Sequence, residues 1–72
     1  MDEQDFPSRL HQLRTAQKLT IPQLSIRVGI HENTLRLYER GKADPRSFML
    51  CCLADYFHVT TDYLLGRSDK KC

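Results

Sequence analysis

The chain predicts an all-α fold, a compact bundle of about five short helices. Three observations carry this. Apolar residues recur at intervals of three and four along most of the sequence, which is the helical period. Pro, Thr and Asp stand where those segments open, and Gly stands where several of them close, matching the usual chemistry of helix ends. No run alternates apolar with polar residues as a half-buried strand would. A length of 72 residues suffices for one domain with one small core and is too short for a large enclosed catalytic pocket.

The first helix is expected over about residues 5–17. Phe6, Leu10, Leu13 and Ala16 form its apolar stripe, and Pro7 falls in the first turn, where its missing N–H has no helical partner to lose. Arg9, Gln12, Arg14 and Gln17 are assigned to the opposite, solvated face.

Thr20 is the expected N-cap of a second helix running from about Ile21 to Val28. Leu24 and Val28 face inward as an i, i+4 pair, and Gly29 closes the helix in a left-handed conformation. The third helix is expected over about residues 32–40. Leu35 and Tyr38 point to the core, Glu32, Asn33, Arg36 and Leu37 point outward, and Gly41 ends the helix. Glu39 is expected to tie the end of this helix to a base on helix 1 or a loop, Arg14 being one such base.

A fourth helix, about Pro45 to Phe57 with Asp44 as its cap, presents Met49, Leu50, Leu53, Ala54 and Phe57 as one stripe. Phe48 and Cys52 lie off that stripe, extended by Tyr56 at the next step of four, and form a candidate dimer or partner surface. A last short helix is capped by Thr60 or Thr61, packs Tyr63 and Leu64 downward, and stops at Gly66. The organisation is thus an N-terminal tail over residues 1–5, one domain over 6–67, and a frayed polar tail over 68–72.

Eleven Lys and Arg against nine Asp and Glu leave a formal charge of +2, too small to identify a polyanionic partner by itself. The distribution says more. Asp2, Glu3 and Asp5 crowd the start, whereas Arg36, Arg40, Lys42 and Arg46 recur close together as a local basic strip. Cys51, Cys52 and Cys72 are odd in number and two are adjacent, so reduced thiols are expected, with Cys51 in the core and Cys52 at the surface. No signal peptide pattern and no run of roughly 18 apolar residues is present, so the cytoplasm is the expected compartment. His11, His31 and His58 are scattered as surface or capping residues, and no metal site, cofactor or catalytic constellation is expected.

Helix, Gly-centred turn, helix is the arrangement in which the second helix enters the DNA major groove and the first crosses the backbone. It needs a buried inner face, here Leu24, Val28, Leu35 and Tyr38, and small or polar residues at the start of the second helix, here His31, Glu32, Asn33 and Thr34. The stretches "KLTIPQLSIRVGIHENTLRLYERGKADP" and "LADYFHVTTDYLLGR" resemble the Cro and phage-repressor type of helix-turn-helix domain, the xenobiotic-response-element family, from about Phe6 to Arg67.

The resemblance implies a lambda-repressor-like fold, a homodimer on a palindromic operator, and transcriptional regulation, with repression expected. It places Glu32, Asn33 and Leu37 at base-reading positions. His31, Thr34 and Arg36 complete the candidate base-reading set, with Arg27, Arg40, Lys42 and Arg46 as candidate phosphate contacts. Asn33 suits adenine, Glu32 can accept from cytosine N4, and Leu37 suits a thymine methyl.

Two departures stand out. Ile21 replaces the family's phosphate-binding Gln, and His58 replaces the Gly usual after helix 4. Ile21, Ile26 and Leu37 as apolar outer positions define the rival expectation, a protein-interaction module of the same fold, antirepressor-like or antitoxin-like, with weak or no DNA binding. A third expectation is the DNA-binding portion of a longer regulator.

Overall fold

The computed structural model describes residues 5–69. Among them are five helices and no strand: α1 (Phe6–Ala16), α2 (Ile21–Val28), α3 (Glu32–Glu39), α4 (Ser47–Phe57) and α5 (Thr61–Leu64). Each helix contributes one fully buried leucine, Leu10, Leu24, Leu35, Leu53 and Leu64 in chain order. Phe6, Ile30, Tyr38, Ala54 and Phe57 complete the core around them. Removing any one of these leucines leaves a cavity costing about 2–5 kcal/mol. That is comparable with the whole stability of a domain this small.

α1 begins on Asp5, whose carboxylate accepts the Ser8 N–H at 3.0 Å, and it reaches across to both ends of the fold. The expected solvated face of α1 is corrected at two of its four residues. Arg9 is only 4% exposed. Its Nη1 donates to the carbonyls of Tyr63 and Ser68 at 2.8 and 2.7 Å, and its Nη2 pairs with Asp69 at 3.2 Å. The guanidinium also lies 4.0 Å from the centre of the Tyr63 ring, a favourable seat for a cation on a π face. These bonds hold Ser68 and Asp69 to α1, so the tail is not frayed there; residues 70–72, including Cys72, lie outside the described residues.

The second correction is Arg14. Its Nε and Nη2 meet both oxygens of Glu39 at 2.7 and 3.0 Å, and its Nη1 donates to the Leu19 carbonyl at 2.7 Å. The expected tie between Glu39 and helix 1 is therefore present, as a two-pronged pair with most of both side chains out of solvent. Ala16, assigned to the apolar stripe, is exposed, because the helix ends there and its last turn projects past the core.

α4 starts at Ser47 rather than Pro45, and Arg46, not Asp44, is its N-cap, with no side-chain cap bond. Ala43 packs against the core, which holds the chain extended across the domain before it can coil. The cysteine assignments are reversed: Cys51 is exposed and Cys52 half-buried, since the α4 stripe that packs inward is Leu53, Ala54 and Phe57 and Cys51 falls on the other side. His58 takes the left-handed conformation, φ 57°, in the place of the absent glycine. Thr60 caps α5, its hydroxyl accepting the Tyr63 N–H at 3.0 Å.

Burial pulls the Glu39 carboxyl upward, but hydrogen bonds from Arg14 and His11 outweigh it and hold the group below its ordinary value of 4.5. A carboxylate depressed in the fold contributes stability that is complete above its unfolded value and is lost as pH falls through its folded one. Glu39→Gln is therefore expected to cost about 2–3 kcal/mol at pH 7, measured by urea unfolding. The same variant should lose less stability than the parent between pH 5 and pH 3, which a urea series across that window checks.

Candidate nucleic-acid interface

The corner between α2 and α3 is built by short-range bonds. Thr20 and Gln23 form a reciprocal box, with Gln23 N–H donating to the Thr20 hydroxyl at 3.3 Å and Thr20 N–H donating to the Gln23 side chain at 2.9 Å. Two N–H groups that a first turn leaves over are thereby satisfied. Gly29 ends α2 at φ 74°, ψ 24°. Nothing lies within 4 Å of where its Cβ would sit, so the left-handed backbone alone selects glycine.

Beyond Gly29 the chain is pinned from two sides. The Ser25 hydroxyl donates to the Ile30 carbonyl at 2.6 Å, and the Ile30 side chain is buried. His31 then caps α3, its Nδ1 accepting the Asn33 N–H at 3.1 Å. Ser25 and Ile30 escaped the sequence reading as turn-holding residues. A hydroxyl four residues before the helix-ending glycine was the only signal they offered.

Tertiary packing decides which side of α3 faces out. Leu35 and Tyr38 are buried; the Tyr38 ring stacks edge-on to Phe6 at 5.6 Å, and its hydroxyl donates to Met49 Sδ at 3.0 Å. Burial pushes the Tyr38 hydroxyl above its ordinary value despite the opposing charge of Arg46. The opposite side leaves Asn33, Arg36, Leu37 and Arg40 exposed, with Glu32 and Thr34 half-buried. Three of these side chains meet: Arg36 Nη2 bonds Glu32 Oε1 at 3.2 Å, and Arg36 Nη1 donates to Asn33 Oδ1 at 3.3 Å.

All four expected phosphate contacts, Arg27, Arg40, Lys42 and Arg46, are exposed. Arg40 is the C-cap of α3 and Arg46 the N-cap of α4, so these two cations flank the loop that follows α3. Among the described residues no three His, Cys, Asp or Glu side chains gather as a metal site would require.

The apolar outer positions divide. Ile26 is 84% exposed and Leu37 43%, whereas Ile21 is half-buried and packs against the core. Ile21 is corrected accordingly: its side chain closes the base of α2 rather than facing a partner. On α4, Phe48 is 78% exposed, while Cys52 and Tyr56 are half-buried. Tyr56 is occupied within the fold, its hydroxyl donating to Gln17 Oε1 at 3.2 Å and its ring 5.0 Å from that of Phe57.

Residues 6–65 match the family model described as helix-turn-helix domain. The uncharacterized HTH-type transcriptional regulator YobD of Bacillus subtilis (strain 168) is 41% identical over 64 residues, covering 89% of this chain and 57% of that protein. The HTH-type transcriptional activator BcrR of Enterococcus faecalis is 36% identical over 65 residues, covering 90% of this chain and 32% of that protein. The HTH-type transcriptional regulator ImmR of Bacillus subtilis (strain 168) is 34% identical over 61 residues, covering 85% and 48%. This chain therefore spans between about a third and somewhat over half of these relatives. No solved structure is a significant match.

The bond from Ser25 to Ile30 joins the body of α2 to the turn that leads into α3. Ser25→Ala leaves that carbonyl without its donor, and a loss of about 1 kcal/mol is expected. Hydrogen exchange should report faster opening at residues 29–33 than elsewhere in the domain.

Proposed function

This chain belongs to the helix-turn-helix domain family, and on that premise we propose that it is a sequence-specific DNA-binding regulator of transcription that lays α3 in the major groove of duplex DNA. One observation carries the proposal: the fold buries Leu35 and Tyr38 and thereby turns Asn33, Arg36, Leu37 and Arg40 outward together. His31, Glu32 and Thr34 complete the base-facing start of the helix. Arg27, Arg40, Lys42 and Arg46 supply phosphate contacts. Regulation is by repression, since occupying an operator that overlaps a promoter blocks transcription with no surface beyond those described. The chain acts where the DNA is, in the cytoplasm. No helix of the described residues is long and apolar enough to cross a membrane.

The operator is palindromic and the protein binds it as a homodimer, with Phe48 and the neighbouring part of Cys52 as the contact between copies. Phe48 supports this because a phenylalanine so exposed is costly in water and gains about 2 kcal/mol when buried against a second copy. A second reading, a protein-interaction module that binds DNA weakly or not at all, is favoured by the exposure of Ile26 as well as Phe48. In it those residues hold a different protein.

Selection of bound sequences from random duplex DNA separates the two readings. A symmetric motif with half-site centres about 10 bp apart is expected, and no enrichment would transfer the case to the interaction module. On the selected operator, Asn33→Ala should weaken binding by about 5- to 150-fold and relax one base position. Arg40→Ala should weaken all sequences alike and reduce the slope of log K against log salt by about 1; binding equal to the parent in mobility shifts would exclude this face.

Phe48→Asp should keep the parent's helix content by circular dichroism, convert dimers to monomers in sedimentation on and off DNA, and abolish cooperative filling of the two half-sites. Unchanged sedimentation would remove Phe48 from the contact.

A further inference from the structure

Arg36 is held at the start of α3 by two neighbours. Its Nη2 lies 3.2 Å from Glu32 Oε1 and its Nη1 3.3 Å from Asn33 Oδ1. Resting on the DNA-binding reading above, we propose that Arg36 reads guanine and that Glu32 is its positioning residue, not a reader of cytosine.

The donor and acceptor inventory leads there. A guanidinium carries five N–H groups. Two are engaged with Glu32 and Asn33, which leaves three, and guanine N7 and O6 require two. A carboxylate, by contrast, only accepts. Presented to guanine N7 and O6 or to phosphate oxygens it repels, and in the major groove it suits only the amino groups of cytosine and adenine, the latter beside the repelling N7. Paired with Arg36, Glu32 is neutralised before DNA arrives, and the repulsion it would otherwise bring to a polyanion is cancelled.

Placement adds to this. Glu32 lies one turn before Arg36, the favoured order for an acid and a base on a helix, and an exposed pair of this kind contributes little to folding. Its effect is instead on the arginine, a long side chain that unassisted would sample many rotamers before meeting a base. The acceptor from Asn33 restricts it a second time.

Asn33 is not consumed by this bond. Its Oδ1 has a second lone pair and its amide nitrogen two N–H groups, enough for the N6 and N7 pairing with adenine. Asn33 and Arg36, three residues apart on one face, form a two-base reader with Glu32 behind it, fitting an adenine and a guanine on neighbouring base pairs.

The experiment is selection from random duplex DNA with the full chain and four variants, Arg36→Ala, Glu32→Ala, Glu32→Gln and Asn33→Ala, each first checked by circular dichroism for unchanged helix content. In the parent one half-site position is expected to be guanine. Arg36→Ala should erase about 5- to 150-fold of discrimination at that position alone. Glu32→Ala should relax the same position, and Glu32→Gln should restore part of it because the amide oxygen still accepts from Nη2.

If Glu32→Ala relaxes a separate cytosine position, Glu32 is a reader and the inference fails while DNA binding stands. If Arg36→Ala weakens all sequences equally, Arg36 is a phosphate contact and the inference fails likewise. If the parent enriches nothing, the DNA-binding reading itself fails.

Discussion

The orientation of α3 depends on one ion pair. Arg14 grips both oxygens of Glu39 and, with its remaining Nη, the carbonyl of Leu19. A single guanidinium thus ties α1, the loop leading into α2, and the last residue of α3. A lysine could supply the charge but not three directed bonds from one planar group. His11 adds a further contact to Glu39 at 2.9 Å, so the carboxylate has a partner on each side. The core leucines hold α3 against the domain. The pair fixes its C-terminal end, and with it the direction in which Arg40 and the following loop face.

The sequence revealed most where local chemistry and tertiary packing ask for the same residue. Thr20 before a helix, Gly29 after one, and Leu24, Leu35 and Tyr38 at helical spacing are required by the turn and by the core at once. Glu39 was legible because an acid near the basic end of a helix, close to buried positions, needs a partner. Arg9 was not, since nothing local distinguishes it from Arg14, Gln12 or Gln17. Its burial is imposed by chain that returns more than fifty positions later, at Tyr63 and Ser68. The start of α4 and the exposure of Cys51 were misread for a related reason: Asp44 and Pro45 look like a helix opening, but the anchoring of Ala43 in the core keeps that stretch extended. At the candidate site, the outward residues followed from periodicity, whereas the contacts among them did not. That Arg36 would choose Glu32 and Asn33, both within one turn, is a matter of rotamers, which spacing permits but does not select.

A small net charge and a DNA-facing role are compatible once the charges are sorted by what they already touch. The charges of Arg9, Arg14 and Arg36 are balanced within the fold by Asp69, Glu39 and Glu32. What remains at the α2–α3 corner and its following loop is Arg27, Arg40, Lys42 and Arg46 against the single acid Asp44, all exposed. A formal +2 averages over paired and unpaired groups alike and so understates the field a duplex would meet.

The same sorting bears on how affinity and specificity are divided. On the proposed DNA-binding reading, four phosphate cations would release few counterions, so a single domain would bind non-specific DNA weakly and gain little from charge alone. On that reading discrimination would come from the base-facing edge, where Leu37 offers only an apolar surface, and the half-buried Ile21 adds no phosphate contact beside it. That leaves few polar groups, and each must be held in place to be worth its full share. His31 is fixed as a cap, Asn33 by its own N–H and its Oδ1, and Arg36 by two acceptors. A face with few readers gains more from rigidity than one with many, because a base contact made by a preset side chain is not diminished by the entropy of finding it. The local bonds along α3 supply that rigidity, and the Arg14–Glu39 pair carries it to the rest of the domain.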